Sequence, residues 1–253
     1  MADEQIEDKP EESKKGSMPF LDHIEELRWR LIKSILAVAI LGGVSFAFAD
    51  YVFKFVTQPL GDVKLHFTEI TGSFYAYLKV SFFSGLFAAS PIVLYQLWKF
   101  IGPGLYPKEK RAVLPMVFFS TLLFLTGAAF CFFVVLPFAL TFLISYGEEV
   151  MTPIITVSSY VSFAGLLLVA FGAAFQLPVI GYFLGSIGVI TPQFLGKGRP
   201  YAVVAILIAG AVLSPPDILT QVLLAGPLYL LYELTIIIVR LTGRKKDEVE
   251  EES

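Results

Sequence analysis

The chain has 253 residues, 56% of them hydrophobic, with 24 Phe, a mean hydropathy of +0.72 and only 16% charged residues, against roughly 25% charged in soluble domains. This composition excludes a water-soluble globule and marks an integral membrane protein. The formal net charge of -3 says little, because the acids crowd into two tails, Asp3 to Glu12 and Asp247 to Glu252. Cys131 is the single cysteine and lies in an apolar run, so an internal disulfide is ruled out. His23 and His66 are the only histidines, too few for a metal-ligand spacing.

In chain order, the composition divides the protein into a charged N-terminal tail (1–17), a membrane domain (18–241) and a charged C-terminal tail (242–253), both tails being expected to be disordered. The first helix is expected to open at Ser17 as N-cap, with Pro19 tolerated in its first turn. Phe20, Ile24, Leu27 and Leu31 then recur at helical spacing as one apolar stripe. Asp22, Glu25, Glu26, Arg28 and Arg30 fill the other faces. Such a helix lies at the headgroup level before turning inward. Two readings follow: its arginines anchor it to anionic lipid, or, since Glu25 and Glu26 would be repelled by such a surface, it meets a cationic partner.

Apolar runs near the ~20 residues that cross a hydrocarbon core predict six spans. They are Leu31 to Asp50, Phe74 to Ile101, Val113 to Leu143, Tyr160 to Ile187, Tyr201 to Leu213 and Leu219 to Val239. Ala47-Phe48-Ala49 imitates a signal-peptidase site, but the run before it exceeds the ~7–15 residues of a signal h-region, so it reads as an uncleaved anchor. Pro137 is expected to bend or end the third span, Pro178 lies inside the fourth and Pro227 bends the sixth. The fifth offers only ~13 apolar residues, about 20 Å at 1.5 Å per residue. Lysines and arginines precede span one (Lys14, Lys15, Arg28, Arg30), separate spans two and three (Lys99, Lys108, Lys110, Arg111) and four and five (Lys197, Arg199), and follow six (Arg240, Arg244, Lys245, Lys246). Both termini are therefore expected in the cytoplasm. Two long external loops, Tyr51 to Ser73 and Ser145 to Ser159, and the turn Ser214-Pro215-Pro216-Asp217 are left on the far side. Asp217 precedes the last helix, where it serves as an N-terminal cap or as a charge read by a partner.

No Gly-rich phosphate loop, nucleophile elbow or carboxylate pair beside a histidine occurs, so the sequence offers no catalytic constellation, no enzyme and no cofactor site. Polar residues inside the spans are the remaining candidates. Gln176 needs a partner, and the backbone carbonyl freed by Pro178 is one; its role is either a structural interhelical bond or a functional one. Glu233 either snorkels to the cytoplasmic interface or bonds across helices, and Lys79 snorkels outward. Between spans two and three, Gly102-Pro103-Gly104 breaks the helix at the membrane surface, with Trp98 and Tyr106 at the interface and Glu109 alone among basic neighbours.

Three separated motifs carry a resemblance. His23-Ile24-Glu25-Glu26-Leu27-Arg28-Trp29-Arg30-Leu31, the stretch from Pro91-Ile92-Val93-Leu94-Tyr95-Gln96-Leu97-Trp98 to Leu105-Tyr106-Pro107-Lys108-Glu109-Lys110-Arg111, and Ser214-Pro215-Pro216-Asp217-Ile218-Leu219-Thr220-Gln221 together resemble the TatC family, the polytopic core of the twin-arginine protein translocase. The resemblance covers about Pro19 to Lys246. It implies an all-α, six-span, glove-shaped bundle with short fifth and sixth helices in the inner membrane of a prokaryote. It also implies a receptor for the Arg-Arg signal peptides of folded cargo, working with TatA- and TatB-type single-span partners and further copies of itself, and driven by the proton-motive force. The family's signal-peptide-binding glutamates fall on Glu26 and Glu109, with Glu25, Arg28 and His23 in the same motif. Two carboxylates from separate segments suit the planar forks of an Arg pair. Where the family usually carries an acid in span four, this chain has Gln176, which keeps hydrogen bonding and loses the charge. The competing readings are a small secondary transporter or channel, motivated by Gln176, Glu233 and the broken spans, and a passive membrane scaffold.

Overall fold

The computed structural model describes residues 20–61, 63–67, 69–101, 113–145, 154–213 and 218–251. Six helical stretches among them are long and apolar enough to cross a membrane: Asp22–Ala47, Gly72–Ile101, Leu114–Ser145, Val157–Ser186, Pro192–Leu213 and Thr220–Thr242. Their number and order are those expected from hydropathy. Six crossings bring the start of the first helix and the end of the last to the same side, the terminal face. The N-cap at Ser17, Glu109 and the turn Pro215-Pro216-Asp217 lie outside the described residues.

Helix α1 (Phe20–Ala47) carries the charged segment into the first span without a break. On the opposite face follow α2 (Ala49–Val56) and a 3-10 turn (Gln58–Leu60). The chain there is pinned to the start of the fourth span: the His66 N–H donates to the Ile155 carbonyl and the Val157 N–H to that of His66, both at 2.9 Å. Helix α3 (Gly72–Ile101) returns to the terminal face. The third span is α4 (Val113–Phe130), a π-helical turn (Cys131–Val135) and α5 (Leu136–Ser145). The disturbance expected at Pro137 falls just before it, because the proline lacks an N–H and its ring crowds the preceding turn, which widens to accommodate it.

The fourth span divides into α6 (Val157–Ala174) and α7 (Leu177–Ser186), with Gln176 at the break and Pro178 in the first turn of α7, where a missing N–H has no helical partner to lose. Helix α8 (Pro192–Leu213) has 22 residues, roughly 33 Å. The fifth span is thus short in its apolar stretch, not in its helix, because Pro192 to Pro200 adds a polar beginning. Helix α9 runs over 34 residues from Ile218 to Glu251. The C-terminal tail expected to be disordered from 242 is therefore helical through Glu251. Extending an existing helix adds one hydrogen bond per residue without a new nucleus, and Lys, Arg and Glu are good helix formers.

Helix α3 packs against α1, α4 and α6, and α9 against α7 and α8. The larger core joins Val80, Cys131, Leu136, Val161, Leu167, Phe171 and Leu224; a smaller one near the terminal face joins Trp98, Met116, Val179 and Phe183. In lipid such contacts gain from close packing rather than from escape from water, so small residues sit at the crossings. A Cβ on Gly85 would strike the backbone of Gly42, which is why α1 and α3 approach so closely there.

Candidate functional site

The residues at 23, 26 and 30 share one face of α1, and that face meets the last turns of α3. The His23 ring stacks on Phe100 with centroids 4.4 Å apart and planes 15° from parallel. Arg30 donates to Glu26 Oε1 through Nε at 3.0 Å and through a terminal nitrogen as well. Its other terminal nitrogen reaches Gln96 Oε1 at 3.5 Å. The pair is half-withdrawn from the surface, the Arg30 side chain 13% and the Glu26 side chain 21% exposed. Glu26 Oε2 is buried and has no hydrogen-bond partner among the described residues. His23 Nδ1 stands 3.9 Å from it.

The apolar stripe points away from the protein, with Ile24, Leu27 and Leu31 about half exposed, while the polar residues face α3. A membrane makes this the cheaper arrangement: the outward stripe contacts lipid, and the charged groups find partners inward. Glu25 and Arg28 are exposed and stand outside the cluster, whereas His23 belongs to it. Sequence reasoning missed Arg30, Gln96 and Phe100; the four-residue spacing of Glu26 and Arg30 was the available signal.

Chemically, one oxygen of Glu26 accepts from Arg30, and the other is a buried acceptor without a hydrogen-bond donor among the described residues. A guanidinium offers such donors in a planar fork. Arg30 already balances the Glu26 charge, so net attraction for a cation requires a second carboxylate.

Helix α3 also links this cluster to the membrane interior. Two residues after Gln96, Trp98 donates from Nε1 to Ser120 Oγ at 2.7 Å, and the Gln176 amide donates to the Ser120 carbonyl at 3.0 Å. The partner of Gln176 is thus on α4, not the carbonyl freed by Pro178, because the helix break turns the amide towards the neighbouring helix. Glu233 bonds across helices: Arg199 of α8 meets it with Nε at 2.7 Å and a terminal nitrogen at 2.8 Å, and Tyr229 donates to Oε1 at 2.9 Å. Gln176 and Glu233 have separate partners on different helices. Among the described residues they form no common polar path, and no group of three or more His, Cys, Asp or Glu is placed to hold a metal ion.

The profile of a family described as Sec-independent protein translocase protein (TatC) matches residues 22–227. A relative of that name from Aquifex aeolicus is 44% identical over 92% of this chain and 99% of its own length. One from Desulforapulum autotrophicum is 38% identical over 93% and 89%, and one from Campylobacter jejuni 41% over 86% and 92%. A crystal structure of a twin-arginine translocase receptor, TatC, superposes with a TM-score of 0.80 at 44% identity, covering 87% of this chain and 99% of that one. Motifs, six-span architecture and whole-length similarity agree: the chain belongs to the TatC family of Sec-independent protein translocase proteins.

Proposed function

We propose that this protein is the receptor of a twin-arginine translocase, with its terminal face in the cytoplasm, and that Glu26 and Glu109 together hold the two guanidinium groups of an Arg-Arg signal peptide. The observation that carries this reading is the Glu26 carboxylate, fixed between α1 and α3 with Oε1 taken and Oε2 buried without a partner among the described residues. Glu109 supplies the second charge that Arg30 makes necessary. His23, held against Phe100, shapes the wall of the site, while Glu25 and Arg28 contribute to the surrounding field. The basic residues on the terminal-face segments support the cytoplasmic assignment. TatA- and TatB-type single-span proteins and further copies of the chain complete the assembly, and the proton-motive force drives transport. Asp217 caps α9 or is read by such a partner; Asp217→Asn keeps a cap and removes the charge, so transport by that variant separates the roles.

The test is equilibrium binding of Arg-Arg and Lys-Lys signal peptides to the reconstituted protein. Glu26→Ala and Glu109→Ala are each expected to weaken Arg-Arg binding by ~1–3 kcal/mol, the worth of a charge-assisted hydrogen bond. Unchanged binding in both variants would remove the assignment. Solute flux through vesicles holding this protein alone would instead favour a transporter.

A further inference from the structure

A second polar site lies on the face opposite the termini. A cavity of about 380 Å³ opens there between the start of α3 and the start of α6, and Glu69, Tyr75, Lys79, Thr156, Ser158 and Ser159 line it. The Lys79 ammonium donates to Ser158 Oγ at 2.7 Å and Ser162 Oγ at 2.8 Å. Rather than snorkelling straight to water, it is held sideways against the first turns of α6. Both acceptors are neutral, and among the described residues neither Lys79 nor Glu69 takes part in an ion pair. An ammonium carries three donors, so one remains for an occupant of the cavity.

The surroundings fix the level of the opening. Ile70 is fully exposed, and Phe67, Phe74 and Tyr75 are more than half exposed. Such a rim is costly in bulk water and suited to the lipid headgroup boundary, where aromatic side chains gather. The charges are also ordered with depth. Glu69 sits in the turn before α3, its carbonyl accepting from the Gly72 N–H at 2.9 Å. Lys79 stands seven residues into that helix, ~10 Å further along its axis. From the water inward the cavity therefore offers a carboxylate, then hydroxyls and an ammonium.

A phospholipid with a primary amine presents the complementary order, its ammonium outermost and its phosphate next to the glycerol. We propose that this cavity binds the phosphoethanolamine headgroup of a membrane lipid, with the phosphate on Lys79 and Ser158 and the amine on Glu69. A trimethylated amine could not donate to Glu69, and a glycerol headgroup would leave that carboxylate without a counter-charge.

The test is native mass spectrometry of the full-length protein released from nanodiscs of equal phosphatidylethanolamine, phosphatidylcholine and phosphatidylglycerol content. The ethanolamine lipid should be retained roughly tenfold over the other two, as one matched charged contact predicts. Glu69→Gln should abolish its preference over phosphatidylcholine, Lys79→Gln should lower retention of all three, and Lys79→Arg should preserve the wild-type pattern. Should Lys79→Gln not fold, the exposed Glu69→Gln decides alone. Equal retention of the three lipids by the wild type, or a preference that survives Glu69→Gln, overturns the proposal. So does displacement of the lipid by millimolar inorganic phosphate, which would make the cavity a site for free anions.

Discussion

Arg30 does to Glu26 from within what a signal-peptide arginine would do from outside, since it donates two N–H groups to the same carboxylate oxygen. At the proposed site the two guanidinium groups would compete. Because the pair is partly exposed, solvent screening limits the internal contact to ~1 kcal/mol or less. Arg30→Gln is accordingly expected to tighten Arg-Arg peptide binding by about two- to fivefold in an anisotropy titration. It should also strengthen Lys-Lys binding, by raising the net negative charge. Weaker binding instead would identify Arg30 as the residue that orients Glu26. At position 176 the same scale explains why an amide suits the site. The Gln176 amide donates to a backbone carbonyl, a bond an ionised carboxylate cannot make.

The elements that hold the site meet through glycine rather than through large side chains. A Cβ at Gly85 would collide with the Gly42 backbone and lie 3.0 Å from the Val38 carbonyl, whereas one at Gly43 would meet nothing within 4 Å. Gly85→Ala should therefore push α1 off α3, costing ~1–3 kcal/mol as other overpacked substitutions do. Since Glu26 and Gln96 belong to those two helices, peptide affinity should fall together with the thermal transition in detergent. Gly43→Ala is the matched control and should change neither. A loss of stability with intact binding would show that the terminal-face end of the α1–α3 pair is positioned independently of the crossing.

For the whole molecule, the unequal lengths of the spans matter most. The third and fourth spans have 32 and 30 residues, while the apolar part of α8 is confined to Tyr201 to Leu213. Its polar beginning carries Arg199, whose charge is matched by Glu233 on α9. Such a pair is stable inside the edge of a bilayer without forcing the helix to slide outward. A short apolar stretch beside longer ones is accommodated by local thinning of the membrane. Inserting one helical turn of leucines within Tyr201 to Leu213 should reduce cargo transport into inverted vesicles while leaving peptide binding at the other side of the protein intact. Unaltered transport would exclude thinning at α8 from the mechanism.

How much of this was legible beforehand depended on the range of the physics involved. Hydropathy and the need to pair every backbone group within a span are local, so six crossings, their order and the helical class followed from the sequence. The separated motifs likewise carried the family. Which way α1 faces was not legible, because water penalises an outward apolar stripe and lipid does not. Ile24, Leu27 and Leu31 face outward, while Glu26 and Arg30 turn towards Gln96. The same limit applied to Gln176, Glu233 and Lys79. Each was recognisable as a polar group needing a partner, but Ser120, Arg199 and Ser158 lie on other helices, 56, 34 and 79 residues away in sequence. Only the packing of the helices decided those pairs, because the cost of an unpaired polar group in a membrane says that a partner must exist and not where it comes from.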